Sequence, residues 1–171
     1  MTFEHDKILG RDALAAAVAQ ARPGRRVVFT NGCFDLLHAG HADLLARARA
    51  LGDLLVVGLN DDASVARLKG ASRPVTPQAQ RAYVLASLTC VDYVSLFPED
   101  TPLELILAVQ PDVLVKGGDW PVASIVGGQA VAARGGRVVS LPLVPGLSTT
   151  AVIERILERG GPSSSRDFKN T

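Results

Sequence analysis

The chain is poor in cysteine and in net charge, and each shortage excludes a class of protein. Its two cysteines show no pairing pattern, which indicates a reducing compartment rather than a disulfide-stabilised domain. Eighteen Lys and Arg residues against seventeen Asp and Glu residues give a net charge of +1, so no basic field favours nucleic acid. No apolar run approaches the roughly 18 residues of a membrane span, and residues 1–7 are too charged for a signal peptide. We therefore expect a cytoplasmic protein that binds neither nucleic acid nor membranes.

Apolar strands alternate with helical segments along most of the chain. The pattern predicts strands at residues 27–29, 54–59, 91–97, 113–115 and 138–141, with helices between them. This alternation is typical of a Rossmann-like, doubly wound α/β fold with a mostly parallel, five-stranded sheet flanked by helices. We expect a single domain over residues 1–159 and a disordered, polar tail over residues 160–171.

Local signals predict one long loop and two helix starts. Residues 60–77 are mostly polar and are expected to form a loop of functional length. Thr76 and Thr101 are predicted to cap the helices that follow, with Pro77 and Pro102 in the first helical position.

The most informative stretch follows the first strand, where His38 and His41 flank Gly40 at a predicted helix start. A helix N-terminus offers unpaired N–H groups and a positive dipole end to an anion, and glycine lets the backbone approach closely. The alternatives are two surface histidines in a loop, or a zinc site with Cys33, which would lack a second ligand pair. Because two of the chain's three histidines lie in this one turn, phosphate binding and nucleotidyl transfer are favoured.

Three further residues could reach the phosphates. Thr30 ends the first predicted strand, and a plain strand-end threonine is its alternative interpretation. Lys69 lies in the long loop and could close over a triphosphate; the alternative is a solvated basic loop. Arg81, on the helix after Pro77, could point back to the phosphates, although a helix arginine is by default a surface residue.

Two later motifs also carry polar side chains at suitable places. Asp119 follows two glycines and suits sugar hydroxyls, and Trp120 could cover the base or the acceptor. A tight turn anchored by the tryptophan is the alternative. Ser148 and Thr149 start the last predicted helix and could hold the departing pyrophosphate, where an ordinary cap would need only one hydroxyl.

These residues resemble the nucleotidyltransferase superfamily that includes glycerol-3-phosphate cytidylyltransferase and pantetheine-phosphate adenylyltransferase. Five ordered motifs, at residues 29–35, 68–70, 73–75, 115–119 and 147–150, are more closely similar to the adenylyltransferase domain of bacterial ADP-heptose synthases. The resemblance covers roughly residues 7–159. In many bacteria this domain is fused behind a sugar kinase, which is absent here, so the resemblance implies a stand-alone form.

The resemblance implies transfer of AMP from ATP to D-glycero-D-manno-heptose 1-phosphate, with Mg²⁺ accompanying ATP and pyrophosphate as the second product. The resulting ADP-heptose would supply lipopolysaccharide or other surface heptose, and the enzyme would be a homodimer or a higher homo-oligomer. The catalytic residues implied are His38, His41 and Lys69. The nucleotide-binding residues are Thr30, Asn31, Gly32, Phe34, Gly40, Arg81, Gly118, Asp119, Ser148 and Thr149.

One departure from the cytidylyltransferases bears on the nucleotide. Those enzymes have Arg-Thr-Glu before their Gly-Ile-Ser-Thr-Thr motif, whereas residues 143–145 here are Leu-Val-Pro. The change favours ATP over CTP. A phosphate monoester can attack the α-phosphorus directly, so no protein nucleophile is needed and Cys33 is expected to be structural.

Other functions stay open on the sequence alone. One is cytidylyl or adenylyl transfer to another phosphate monoester such as glycerol 3-phosphate. A second is a non-catalytic nucleotide-binding module. A third, an aminoacyl-tRNA-synthetase-like activity, would require a lysine-rich loop that this chain lacks.

Overall fold

Five strands pair in parallel to form one sheet in the computed structural model, which describes residues 3–118 and 120–160. They are β1 (Val27–Gly32), β2 (Leu54–Asn60), β3 (Tyr93–Phe97), β4 (Val113–Gly117) and β5 (Arg137–Leu141). The order across the sheet is β3-β2-β1-β4-β5. Every residue of β2 is buried, as expected for a parallel strand covered on both faces.

Helices cover both faces of this sheet. They are α1 (Arg11–Ala21), α2 (Ala39–Arg49), α3 (Asp62–Lys69), α4 (Gln78–Ala86), α5 (Leu103–Val109), α6 (Gly128–Ala133) and α7 (Thr149–Arg159), with a short 3₁₀ turn at Val122–Ser124. One buried cluster joins the sheet to α2 and α4 through Leu45 and Leu85. A second cluster, on the other face, joins it to α1 and α5 through Leu14 and Ile106. The predicted Rossmann-like fold is thereby confirmed.

The strand order fixes where a ligand can bind. From β1 the chain winds first outward to β2 and β3 and then back across to β4 and β5. Such a reversal leaves a crevice outside the carboxyl ends of the two strands at the switch, here β1 and β4. The carboxyl ends of the strands therefore form the edge of the sheet on which a site is expected.

The predicted long loop is corrected by the structure, because it contains α3. Asp61 caps this helix by accepting a hydrogen bond from the Ser64 N–H at 2.7 Å. In α3 only Ser64 and Val65 are buried. So short a helix with so small a buried face leaves almost no apolar periodicity in the sequence, which is why the prediction was wrong.

Several element ends also differ from the prediction. Pro77 and Pro102 are themselves the capping residues of α4 and α5, so the predicted threonine caps are wrong. The Thr76 N–H instead donates to Asp35 at 2.9 Å. Strands β1 and β4 run on to Gly32 and Gly117, because pairing with their neighbours continues to these residues.

The predicted tail at 160–171 lies outside the described residues from 161 onward. Within the part of the chain that the structure describes, none of the helices combines the length and the apolar character that crossing a bilayer demands.

Candidate active site

A cavity of about 650 Å³ lies at the carboxyl edge of the sheet, where the switch in strand order predicts it. Its walls come from the ends of β1, β2 and β4, the starts of α2 and α7, and the loops beside them. The sequence-predicted residues that line it are Asn31, Gly32, Phe34, His38, Gly40, His41, Lys69, Ser148 and Thr149. Thus nine residues spread over about 120 positions of sequence converge on one volume.

The two histidines are held as a stacked pair at the start of α2. The ring centroids of His38 and His41 are 3.9 Å apart, and the rings are inclined by 25°. Phe34 packs edge-on against His41, with centroids 5.3 Å apart. His38 is also the N-cap of α2, since its Nδ1 accepts a hydrogen bond from the Gly40 N–H at 3.1 Å. An Nδ1 that accepts leaves the proton of the neutral ring on Nε2, so His38 keeps one N–H donor for a ligand.

Both histidines are neutral at physiological pH. Burial lowers the pKa of His38 below its usual value. The pKa of His41 falls to about 4, first because of burial and then because of the neighbouring His38. His41 Nδ1 is buried and has no hydrogen-bond partner among the residues that are described. An orphaned polar atom of this kind is typical of a site that a ligand completes.

Gly40 allows a close contact between two helix starts. A Cβ added at Gly40 would lie 3.0 Å from His38 Cε1 and 3.1 Å from Leu147 Cβ, which is closer than ordinary contacts allow. Leu147 directly precedes the cap of α7. The absence of a side chain at Gly40 therefore lets α2 and α7 begin side by side at one cavity, each with unpaired N–H groups.

Ser148 and Thr149, at the start of α7, differ in what they can donate. The Ser148 hydroxyl accepts from the Ala151 N–H at 3.1 Å as the helix cap, and its own proton stays available. The Thr149 hydroxyl donates its proton to the Asp35 carbonyl at 2.9 Å. Of the predicted pair, Ser148 can donate to an anion, whereas Thr149 connects α7 to the turn after β1.

The charge in the cavity is positive. Lys69 ends α3 and is exposed, and Lys116, at the end of β4, is half-buried with its Nζ 3.5 Å from Asn31 Oδ1. Neither lysine has an acidic partner within residues 3–118 and 120–160. The cavity's carboxylates in that part of the chain, Asp35 and Asp100, are each paired with an arginine. Two uncompensated ammonium groups favour an anionic ligand.

Lys116 is not among the site residues predicted from the sequence, although it lies in the motif at residues 115–119. Burial is the main cause that lowers its pKa; the Cys33 thiol acts in the opposite direction, and the charge of Lys69 lowers the pKa further. The position of Lys116 in the sequence does indicate a site residue, because a lysine directly after a predicted buried parallel strand must lie at the carboxyl edge of the sheet.

Asp35 was also missed, and it organises the turn that carries the histidines. Its buried carboxylate accepts from the N–H groups of Val75 and Thr76 and from Arg73 Nε, at 2.8–2.9 Å. Burial alone would raise the pKa of Asp35, but these three hydrogen bonds outweigh it and hold the pKa below its usual value.

The backbone on both sides of Asp35 is strained. Phe34 and Leu36 have φ values of +44° and +46°, in the left-handed region that side chains other than glycine rarely adopt. The hydrogen bonds of Asp35 to the 73–76 segment stabilise this conformation. The turn at residues 34–36 then places His38 at the start of α2.

Arg81 does not reach the cavity, contrary to the prediction. It is 2% exposed, and its guanidinium donates to three carbonyl oxygens and to Asp62 Oδ1. Two of these carbonyls, those of Cys33 and Thr76, belong to the turn and to the segment that Asp35 holds. Because α4 packs its inner face under the turn, Arg81 supports backbone there instead of contacting phosphates.

Two other predicted residues, Thr30 and Gly118, lie away from the cavity surface. Thr30 is fully buried within β1, because the strand continues to Gly32. Gly118 adopts φ +109°, and a Cβ there would lie 2.9 Å from Trp120 Nε1, so this glycine makes room for the tryptophan. Asp119 lies outside the described residues.

Trp120 and several aliphatic side chains form an apolar side of the cavity. The indole N–H donates to the Gly117 carbonyl at 3.2 Å, and the ring remains 53% exposed at the cavity rim. The same side is lined by Ile125, Val126, Leu143 and Leu147. A flat aromatic ring held beside aliphatic side chains suits a planar, weakly polar group of a ligand.

Comparison with known proteins assigns this arrangement to a family. The cytidylyltransferase-like family model matches residues 29–155. The chain is 57% identical over 154 residues to the bifunctional protein HldE of Pelobacter propionicus, covering 90% of this chain and 32% of that protein. It is 61% identical over 154 residues to the bifunctional protein HldE of Halorhodospira halophila, again covering 90% and 32%. The chain thus spans about a third of the length of these relatives.

Solved structures agree with the fold. The lipopolysaccharide core biosynthesis protein of Thermoplasma volcanium matches with a TM-score of 0.59 and 28% identity, over 71% of this chain and 98% of that one. The pantoate-beta-alanine ligase of Francisella tularensis matches with a TM-score of 0.59 at 15% identity, over 96% of this chain and 81% of that one. The second similarity shows the fold alone.

Proposed function

The chain belongs to the cytidylyltransferase-like family, and we propose that it transfers the adenylyl group of ATP to D-glycero-D-manno-heptose 1-phosphate, forming ADP-heptose and pyrophosphate. One observation carries the reaction class. Two helix starts, a pair of neutral histidines and two unpaired lysines face one cavity in the described part of the chain. Backbone N–H groups, imidazole N–H groups and ammonium groups together match the charge of a triphosphate that loses pyrophosphate.

The heptose substrate is supported by relatives and motifs. Relatives at 57% and 61% identity bear the name bifunctional protein HldE, and a solved relative at 28% identity is a lipopolysaccharide core biosynthesis protein. The motifs at residues 115–119 and 147–150 resemble the adenylyltransferase domain of ADP-heptose synthases. We propose that the product supplies heptose for lipopolysaccharide or another surface glycan.

The proposed reaction is a single in-line displacement. A phosphate oxygen of the sugar phosphate attacks the α-phosphorus of ATP, and the bond from that phosphorus to the oxygen bridging to the β-phosphate breaks. Pyrophosphate leaves with the bridging oxygen. The attacking phosphate monoester is largely dianionic near neutral pH, so no general base is required.

Each element of the cavity has a part in this step. His38 and His41 stabilise the charge that develops on the transferring group, and Lys69 closes from the end of α3. Ser148 and the free N–H groups of α7 bind the departing pyrophosphate. Burial raises the pKa of the Cys33 thiol, which makes it a poor nucleophile and supports a structural role.

Mg²⁺ enters this proposal with ATP. Among the residues that the structure describes, no three His, Cys, Asp or Glu side chains come together as a metal site. The cavity carboxylates described above are paired with arginines, so the side chains of the described residues do not fit a resident metal. Mg²⁺ is therefore proposed as the counterion of the triphosphate, and no step depends on a protein-bound metal.

Location and assembly follow the same resemblance. We propose a cytoplasmic enzyme, because the reaction consumes ATP, and a homodimer or higher homo-oligomer. Light scattering after size exclusion measures the assembly directly; a mass of 18.0 kDa would contradict it.

Pyrophosphate release tests the proposed function. ATP and CTP should each be assayed against heptose 1-phosphate, glycerol 3-phosphate and phosphopantetheine. We expect ATP with heptose 1-phosphate to give the highest kcat/KM, because a site built to pair the sugar hydroxyls rejects acceptors that lack them. A preference for CTP with glycerol 3-phosphate would overturn the substrate. No release with any pair, together with intact ATP binding, would favour a binding module.

A further inference from the structure

The cavity has two unlike sides, set by the strand order of the sheet. On the side of β4 and β5 lie Trp120 and the aliphatic residues described above. On the side of β2 and β3 most of the lining is polar or charged, beside Leu68 and Pro102: Asn60, Lys69, Arg73, Asp100 and Thr101. The starts of α2 and α7 also line the cavity, with N–H groups for phosphates. A nucleotide that places its base on the apolar side and its phosphates at the helix starts leaves the polar side for the acceptor.

Lys116 belongs to β4 by sequence but extends toward the polar side. Its Nζ lies 3.5 Å from Asn31 Oδ1 on β1, the strand next to β4 on the way to β2. Burial lowers the pKa of Lys116, and the ammonium of Lys69, on the polar side, lowers that pKa further. Lys116 thus lies between the helix starts and the polar side, half-buried and rigidly carried by a sheet strand.

The reaction brings two anions together, and each needs its own positive charge. The helix starts and the histidines serve the triphosphate. The phosphate of the acceptor must approach the α-phosphorus against the repulsion of that triphosphate, so a cation on the acceptor side is required. A half-buried ammonium without an acidic partner in residues 3–118 and 120–160 has only the Asn31 amide oxygen, at 3.5 Å, to replace its lost hydration until an anion binds.

On the basis of the proposed function, we propose that Lys116 binds the phosphate group of the acceptor and selects for a phosphate monoester. Lys69 is less suited to this task, because it is exposed at the end of an eight-residue helix. Lys116 is fixed before the acceptor arrives, which reduces the entropy lost on binding. The residue therefore determines acceptor affinity, whereas the histidines act on the transferred group.

The test compares Lys116→Met with Lys7→Met. Methionine keeps most of the length of lysine and removes its charge. Lys7 is the matched control, because it is also half-buried but its Nζ donates to the carbonyls of Leu88 and Val91, beyond the opposite edge of the sheet. Both variants should be checked for folding by thermal unfolding before any binding measurement.

Calorimetry would measure heptose 1-phosphate binding to each protein saturated with α,β-methylene-ATP, and separately the binding of that analogue. Lys116→Met should weaken heptose 1-phosphate binding at least about tenfold, as expected for loss of a hydrogen bond to a charged group. Its affinity for the analogue should stay within about twofold. Lys7→Met should change neither the affinity for heptose 1-phosphate nor the affinity for the analogue.

The outcomes separate this inference from the proposed function. Equal weakening of the analogue and the acceptor, or weakening of the analogue alone, would overturn the role of Lys116. Unchanged affinity for heptose 1-phosphate in a folded Lys116→Met protein would also overturn the role of Lys116. A wild-type protein that binds both ligands but releases no pyrophosphate from ATP would instead contradict the proposed function, while the binding comparison would still decide the role of Lys116.

Discussion

At the scale of single residues, the imidazole of His38 does two things that a substitution can separate. It caps α2 through Nδ1, and it presents a neutral ring to the cavity. Alanine would remove both roles and cost about 0.5–2 kcal/mol of stability through the lost cap. Asparagine is among the preferred N-cap residues, so His38→Asn removes the ring and retains a capping acceptor.

We predict that His38→Asn and His41→Ala each lower kcat by roughly 10²-fold, the scale for removing one donor that stabilises transition-state charge. The melting temperature of His38→Asn should stay close to that of the wild type. Steady-state pyrophosphate release and thermal unfolding provide the two measurements. Near-normal turnover combined with a lower melting temperature would mean that the histidines contribute to packing and not to catalysis.

At the scale of elements, Asp35 joins three segments that are far apart in sequence. Its carboxylate holds the 73–76 segment, and its carbonyl accepts from Thr149 at the start of α7. Asp112 is a comparable carboxylate at the opposite edge of the sheet. It accepts from the Val27 N–H at 2.7 Å and from Arg22 at 3.1 and 3.2 Å.

Asp35→Asn should lower kcat about tenfold or more, because the turn that carries His38 loses its support and small misplacements are costly. It should also speed tryptic cleavage after Lys69, since the following segment is no longer held. Asp112→Asn removes similar hydrogen bonds and should destabilise the fold by about 1–3 kcal/mol, with kcat and cleavage after Lys69 unchanged. If the two variants lose kcat to the same extent, Asp35 has no special positioning role.

At the scale of the whole molecule, the two edges of the sheet have different tasks. Carboxylates at the amino edge, such as Asp53, Asp92 and Asp112, accept from backbone N–H groups at strand starts and stabilise the sheet. The carboxyl edge instead contains a stacked histidine pair that burial keeps neutral. Keeping His41 neutral links the stability of the entire fold to pH.

The pKa of His41 is about 4 in the folded protein and 6.5 in the reference state, so the unfolded chain binds more protons between these values. The free energy of unfolding should therefore fall as the pH is lowered from about 6.5 to 4 and should be insensitive to this group above 6.5. Urea unfolding across this range would measure the slope. His41→Gln should flatten it; an identical slope in the variant would show that His41 is not the group responsible.

Much of this protein is determined by local sequence. The parallel sheet follows from apolar runs such as residues 54–59, because strands buried on both faces need continuous apolar side chains. The histidine turn and the hydroxyls at residues 148–149 were recognisable because helix starts and strand ends have local signals. Nine of the predicted residues do line one cavity for that reason.

Only the tertiary structure decided the direction of each polar side chain. Arg81 donates inward to the Cys33 carbonyl, Thr149 gives its proton to the Asp35 carbonyl, and Lys116 extends from β4 toward β1. Each of these contacts joins residues at least 48 positions apart, so no local pattern records them. Hydrogen bonds and charges act over a few ångströms in space, and the fold alone brings such partners within that range.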